Sequence, residues 1–129
     1  MLRPLFLLVF LLANSSAFAY FYDGNKLVVE MREFEKAERS DPRTNYQSSS
    51  QYIGFVVGVH DAIATTLCSS GDISVRQVTT IVAKYLNERP EEWNKPAFQL
   101  VSRALWQAFP CKSTSPPKSN ENKSRNPKP

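Results

Sequence analysis

The chain has little of the chemistry that catalysis uses. Its 129 residues contain one histidine, His60, and two cysteines, Cys68 and Cys111. The four glycines stand singly, and none opens a phosphate-binding loop. No group of His, Cys, Asp and Glu has metal-ligand spacing, so neither a metal nor another cofactor is expected. A Cys–His nucleophile would need a reduced Cys68 beside His60. Eight residues along a helix set the two about 80° apart around the axis. Asp61 reads as a structural carboxylate at a helix contact, with Gly58 and Pro110 as other structural positions. Glu30, Glu33, Glu35 and Glu38 read as a solvated helix face. With no paired acid and base, the chain is expected to bind rather than to catalyse.

A nucleic-acid footprint is also missing. The net charge of +4 belongs to the C-terminal tail: residues 112–129 hold five Lys/Arg against Glu121, whereas residues 20–111 hold ten Lys/Arg against eleven Asp/Glu. A globular part at −1 has no basic stripe for a phosphate backbone. The tail, KSTSPPKSNENKSRNPKP, has no large apolar residue. It cannot offset its ordering entropy by burial and is expected to be a disordered basic extension.

Long apolar runs are absent except at the start. Arg3 precedes the apolar stretch Leu5 to Ala13, followed by Asn14-Ser15-Ser16 and Ala17-Phe18-Ala19. This is the layout of a signal peptide cut after Ala19. Leu5 to Ala19 spans 15 residues, short of the roughly 20 a membrane-crossing helix needs, so no stable membrane insertion is expected. The domain reading is therefore a leader over 1–19, a globular domain over 20–111 and the tail over 112–129. Export places the cysteines in an oxidising space, where a pair becomes a disulfide.

Four helical patterns fill the domain, and no strand is expected, so the fold class is all-α, a small four-helix bundle. The first runs from about Asn25, a plausible N-cap, to Arg39, with Leu27, Val28, Met31 and Phe34 on one stripe. The second runs from about Gln51 to Leu67 and is apolar all round, the mark of a central helix. Its Gly54, Gly58 and Ala62 recur every four residues and suggest close packing on a neighbouring helix. The third starts at Ser74, where Ser74 and Gln77 match a capping box, and buries Val75, Val78, Ile81, Val82, Tyr85 and Leu86. The fourth starts at Asn94 or Lys95 with Pro96 in its first turn. Ala97, Leu100, Val101, Ala104, Leu105 and Ala108 form its stripe.

Short loops make neighbouring helices antiparallel. The end of the second helix and the end of the fourth then share one pole, which brings Cys68 to Cys111. A disulfide closing that loop contributes about 4 kcal/mol, a large part of the roughly 5–15 kcal/mol a small domain has. The loops Ser69, Ser70, Gly71, Asp72 and Glu91, Glu92, Trp93, Asn94, Lys95 are the candidate partner-binding positions, from loop position alone.

The ordered set Gly58-Val59-His60-Asp61-Ala62, Cys68, Ile73-Ser74 with Gln77, Val82 to Pro90 through Tyr85-Leu86, and Ala97 to Cys111 ending in Ala108-Phe109-Pro110-Cys111 resembles the Rap/Tai-type immunity proteins. Gly24-Asn25 and Leu27 fit the same pattern. The resemblance covers about 24–111. It implies an exported, all-helical, disulfide-containing protein of Gram-negative bacteria. It further implies a periplasmic partner, a peptidoglycan amidase toxin delivered by type VI secretion, whose Cys-His site is plugged, in part by dimers. The family often carries a second cysteine pair where this chain has Met31 and Tyr52, so packing is expected to replace that tie. It often has proline after the mid-chain cysteine, where this chain has Ser69-Ser70-Gly71-Asp72. The alternative function, of a different class, is a small periplasmic stress or chaperone-like helical protein that exposes apolar surface in acid.

Overall fold

The computed structural model describes residues 21–112. The expected leader over 1–19 and the expected tail beyond Lys112 lie outside the described residues. Four helices form the fold: α1 Gly24–Glu38, α2 Tyr46–Ile63, α3 Val75–Glu88 and α4 Ala97–Ala108. Short 3-10 turns follow α2 at Ala64–Thr66 and precede α4 at Pro90–Glu92. Among the described residues there is no strand, and the all-α bundle is the observed architecture.

Helix α1 is capped by Asp23 rather than Asn25. The Asp23 carboxylate accepts from the Lys26 amide at 2.9 Å. The cap lies earlier because the chain before it is fixed by long-range pairing. Gly24 N–H donates to Lys95 O at 2.9 Å, and Ala97 N–H donates to Tyr22 O at 3.0 Å. No local signal in the sequence announces this. The stripe Leu27, Val28, Met31 and Phe34 is buried as its spacing predicts. The helix stops where Ser40 takes a positive φ of 56°. Asp41 then accepts from the backbone and guanidinium of Arg43. These bonds hold its carboxyl at about 2.

Helix α2 starts at Tyr46, earlier than the expected Gln51. Asn45 caps it, its side chain accepting from Ser48 N–H at 3.1 Å. Asn45 N–H is itself held by Glu33 of α1 at 2.8 Å. The Gln-Ser-Ser-Ser stretch carries no apolar stripe, so periodicity misses it. A good cap and burial of Ser49 against the bundle make it helical. The helix gives way to a 3-10 turn after Ile63 and does not reach Leu67.

The expectation that α2 is wrapped on all sides fails. Only Ser49, Tyr52 and Val56 are buried in it. Ile53, Phe55, Val59 and Ile63 are half-buried, and Gly54, Gly58 and Ala62 are exposed. A Cβ added at Gly54 or Gly58 would meet nothing within 4 Å. The smooth side of the helix faces outward. The physical reason is arithmetic: three other helices of 12 to 15 residues cover one side of α2 and leave none for the other.

Helix α3 begins at the predicted cap, with Ser74 Oγ accepting from Gln77 N–H at 3.1 Å. Val78, Val82, Tyr85 and Leu86 are buried, Ile81 is half-buried, and Val75 is exposed. Helix α4 starts at Ala97, with Pro96 as its N-cap rather than inside its first turn. Ala97, Leu100, Val101, Ala104 and Leu105 are buried, and Ala108 is exposed. Met31 and Tyr52 both have no exposed surface and lie in the same core cluster. Cys68 and Cys111 form the expected disulfide, with their Cα atoms 4.8 Å apart.

Gly24 and Gly54 should respond oppositely to alanine. A Cβ at Gly24 would lie 2.6 Å from Trp93 O and 2.8 Å from Trp93 Cα, with the Leu100 side chain closer still. Gly24→Ala therefore loses about 1–3 kcal/mol of stability from overpacking. Gly54→Ala and Gly58→Ala gain up to about 1 kcal/mol each, the helix-propensity difference in open space. Urea unfolding of the three variants checks both signs.

Among the described residues Glu30 is the one buried carboxylate, 5% exposed, and its Oε2 has no hydrogen-bond partner. Burial pushes its carboxyl above the ordinary value of 4.5. A folded value above the unfolded one favours the protonated form. Its contribution to stability is fully present below about pH 4.5 and is lost as pH rises through the folded value. Glu30→Gln is thus expected to raise the melting temperature at pH 7. Below pH 4.5 the gain should disappear, which melting curves at the two pH values would show.

Candidate partner-binding surface

The two loops singled out from the sequence sit at opposite ends of α3. Fourteen residues at 1.5 Å each separate them by about 21 Å. They cannot enter one narrow cleft together, and their surroundings differ.

The loop Glu91 to Lys95 is bound into the fold. The Glu92 carboxylate accepts from Lys95 at 3.0 Å, from Tyr85 OH at 3.0 Å and from Arg103 at 3.5 Å. The bond from Lys95, then that from Tyr85, holds its carboxyl below the usual range. Trp93 is half-buried, and its indole N–H donates to Leu86 O at 2.9 Å. The Arg32 guanidinium lies over its ring, 5.5 Å from the centroid. Trp93 is an anchor of the α1–α4 seam, not a projecting side chain. Only Glu91 and Asn94 are exposed in this loop.

The loop at the disulfide pole is the reverse. Cys68, Ser69, Ser70, Gly71 and Asp72 are all exposed. Gly71 has a φ of 125°, a conformation that side-chain-bearing residues rarely adopt. Ser69 Oγ donates to Gly71 O at 3.3 Å and tightens the turn. The base is tied by Cys68 N–H to Phe109 O at 3.1 Å and by the Trp106 indole N–H to Thr66 Oγ1 at 2.9 Å. Concavities of about 310 and 240 Å³ flank the loop, so it stands as a ridge between two hollows. Pro110 is exposed beside it.

His60 borders one of these hollows. Its Nδ1 lies 3.0 Å from Asp61 Oδ1. Asp61 is 73% exposed, so it makes no buried helix contact, contrary to the sequence expectation. The outward turn of α2 explains this, because Asp61 lies on its uncovered side. Cys68 is oxidised and offers no thiol to His60.

One surface was not anticipated. Gly54, Phe55, Gly58, Val59, Ala62 and Ile63 of α2 join Phe98 and Ser102 of α4 around a shallow groove of about 360 Å³. Phe98 is 52% exposed and Trp106 is 46% exposed. The sequence did carry a signal. Phe98 and Trp106 fall off the α4 stripe, and the Gly54–Gly58–Ala62 spacing was visible but read as internal packing. Along its 18 residues α2 has one charged side chain, Asp61, apart from His60. The groove therefore leads along an almost uncharged helix to the His60 hollow and the 69–72 ridge.

A larger cleft, about 620 Å³, lies between α1 and α3. It is bridged by the Arg76–Glu38 ion pair at 2.6 Å and by Asn87 donating to Glu35 at 2.7 Å. On its α3 wall Lys84 lies 3.9 Å from Glu88. Among the described residues no helix is long and apolar enough to cross a membrane.

No curated protein matches the chain. The family model of the Rap1a immunity proteins matches residues 23–111, from the cap of α1 to the second cysteine of the disulfide, and the chain belongs to that family.

Proposed function

We propose that the protein is a periplasmic immunity protein that binds and inhibits a peptidoglycan amidase delivered by type VI secretion, by occluding its active-site cleft. Membership of the immunity family supports a toxin partner. The resemblance set out above supports the amidase and the secretion route, and the leader over 1–19 supports export. The observation that carries the reading is the exposed side of α2. Two glycines in a helix cost stability and here pack against nothing. A nearly uncharged, partly apolar face of this kind marks a protein-binding surface. It runs into a rigid ridge at Ser69–Asp72, shaped to enter a cleft. The helix supplies area and the ridge supplies occlusion. Glu91 and Asn94, at the other pole, belong to the rim of any larger contact.

The identifying experiment is capture with the exported chain, disulfide intact, followed by titration of the retained cell-wall hydrolase. Gly58→Leu fills the groove, and Asp72→Lys reverses the charge of the ridge. Each is expected to weaken inhibition at least about tenfold, the scale of an interface hot spot, without loss of helical circular dichroism. Unchanged inhibition by both variants would remove this surface from the reading. A hydrolase that binds yet keeps full activity would remove the inhibitor.

A further inference from the structure

The disulfide lies outside the core it closes. Both Cys68 and Cys111 are exposed. Among the described residues no fully buried apolar residue falls between Val56 and Val78, and none follows Leu105. From Ala64 to Asp72 only Leu67 is even half-buried. What holds this segment, besides the disulfide, is the half-buried packing of Leu67, Ile73 and Phe109 on the edge of the core, a backbone bond from Cys68 N–H to Phe109 O and the Trp106–Thr66 bond. Helix α3 starts on its own Ser74 cap and does not need the loop before it. The fully buried core of α1, α2, α3 and α4 thus lies outside the pole, which meets it only through half-buried side chains and is closed by one accessible covalent bond. Segments with few buried contacts open at low free energy.

We propose that the Cys68–Cys111 disulfide is a redox latch on the partner ridge. A dithiol reductant opens it from the folded state and frees residues 64–73, while the four helices stay folded. The thiolate of the donor attacks one exposed sulfur, breaks the Cys68–Cys111 bond and forms a mixed disulfide. The donor's second thiol then displaces the remaining cysteine. Two electrons and two protons end on Cys68 and Cys111, and the donor leaves as a disulfide. An exposed bond needs no unfolding for this attack, whereas a buried one does. Opening unpins the 69–72 ridge from Phe109. The latch thereby sets whether the ridge is rigid enough to occlude a cleft, a consequence that rests on the partner reading above.

The test uses the exported protein, oxidised, with dithiothreitol as the reductant. The reduction rate is expected to be independent of urea below the unfolding transition. After reduction, helical circular dichroism and a cooperative melt remain at 25 °C, and amide exchange of residues 64–73 accelerates at least about tenfold. The Cys68→Ser, Cys111→Ser double variant should behave like the reduced protein. A reduction rate that climbs steeply with urea, collapse of the helical signal on reduction, or unchanged exchange over 64–73 would each overturn the latch. These readouts need no toxin, so they fail separately from the partner reading, which the Asp72→Lys titration decides.

Discussion

The fold is organised around Tyr52. Its side chain has no exposed surface, and from α2 it reaches both α1 and α3. Its ring lies 5.2 Å from that of Phe34 on α1. Its hydroxyl donates to Thr79 O of α3 at 2.7 Å, so the buried polar atom is paired. Burial and the nearby Glu35 carboxylate push the phenol well above its ordinary value, and it stays neutral. A neutral, hydrogen-bonded aromatic can fill the centre of a small core without the desolvation cost of a charge. Met31, also fully buried, packs in the same core. The two positions belong to one apolar cluster with no covalent tie between them. One covalent tie is left to the molecule, and it sits at the edge.

This division explains how a domain of about 90 described residues separates stability from function. One side of α2 supplies Tyr52 and Val56 to the core. Its other side carries the exposed Gly54, Gly58 and Ala62, with half-buried Phe55 at the edge of the groove. The α1–α4 seam, locked by Gly24 against the Trp93 backbone, absorbs the loop at one pole. The disulfide presents the loop at the other. Rigidity is placed where packing needs it, and exposed apolar surface where a partner protein would need it.

Much of this was legible in the residues. The four helices, the α1 and α4 stripes, the Ser74 cap and the cysteine pairing follow from period, capping chemistry and antiparallel topology. Local rules missed the start of α2, because Gln47 to Ser50 have no apolar stripe and their helicity comes from the Asn45 cap and contact with α1. They missed the cap of α1, because Asp23 is selected by pairing with the 95–97 segment, some seventy residues away. They placed Asp61 and the glycines inside, because a helix rich in apolar residues looks central until its neighbours are counted.

By itself the sequence determined the helical class, the nearly uncharged character of α2 and the pole at which the two cysteines meet, since each depends on order and spacing along the chain. Only the tertiary structure decided which side of α2 is covered and which of the two loops projects. Those are properties of how many neighbours a helix has and where they lie. Gly58 has the same local neighbours in sequence whether it packs on a helix or faces a partner, and only the presence or absence of an opposing surface tells the two apart.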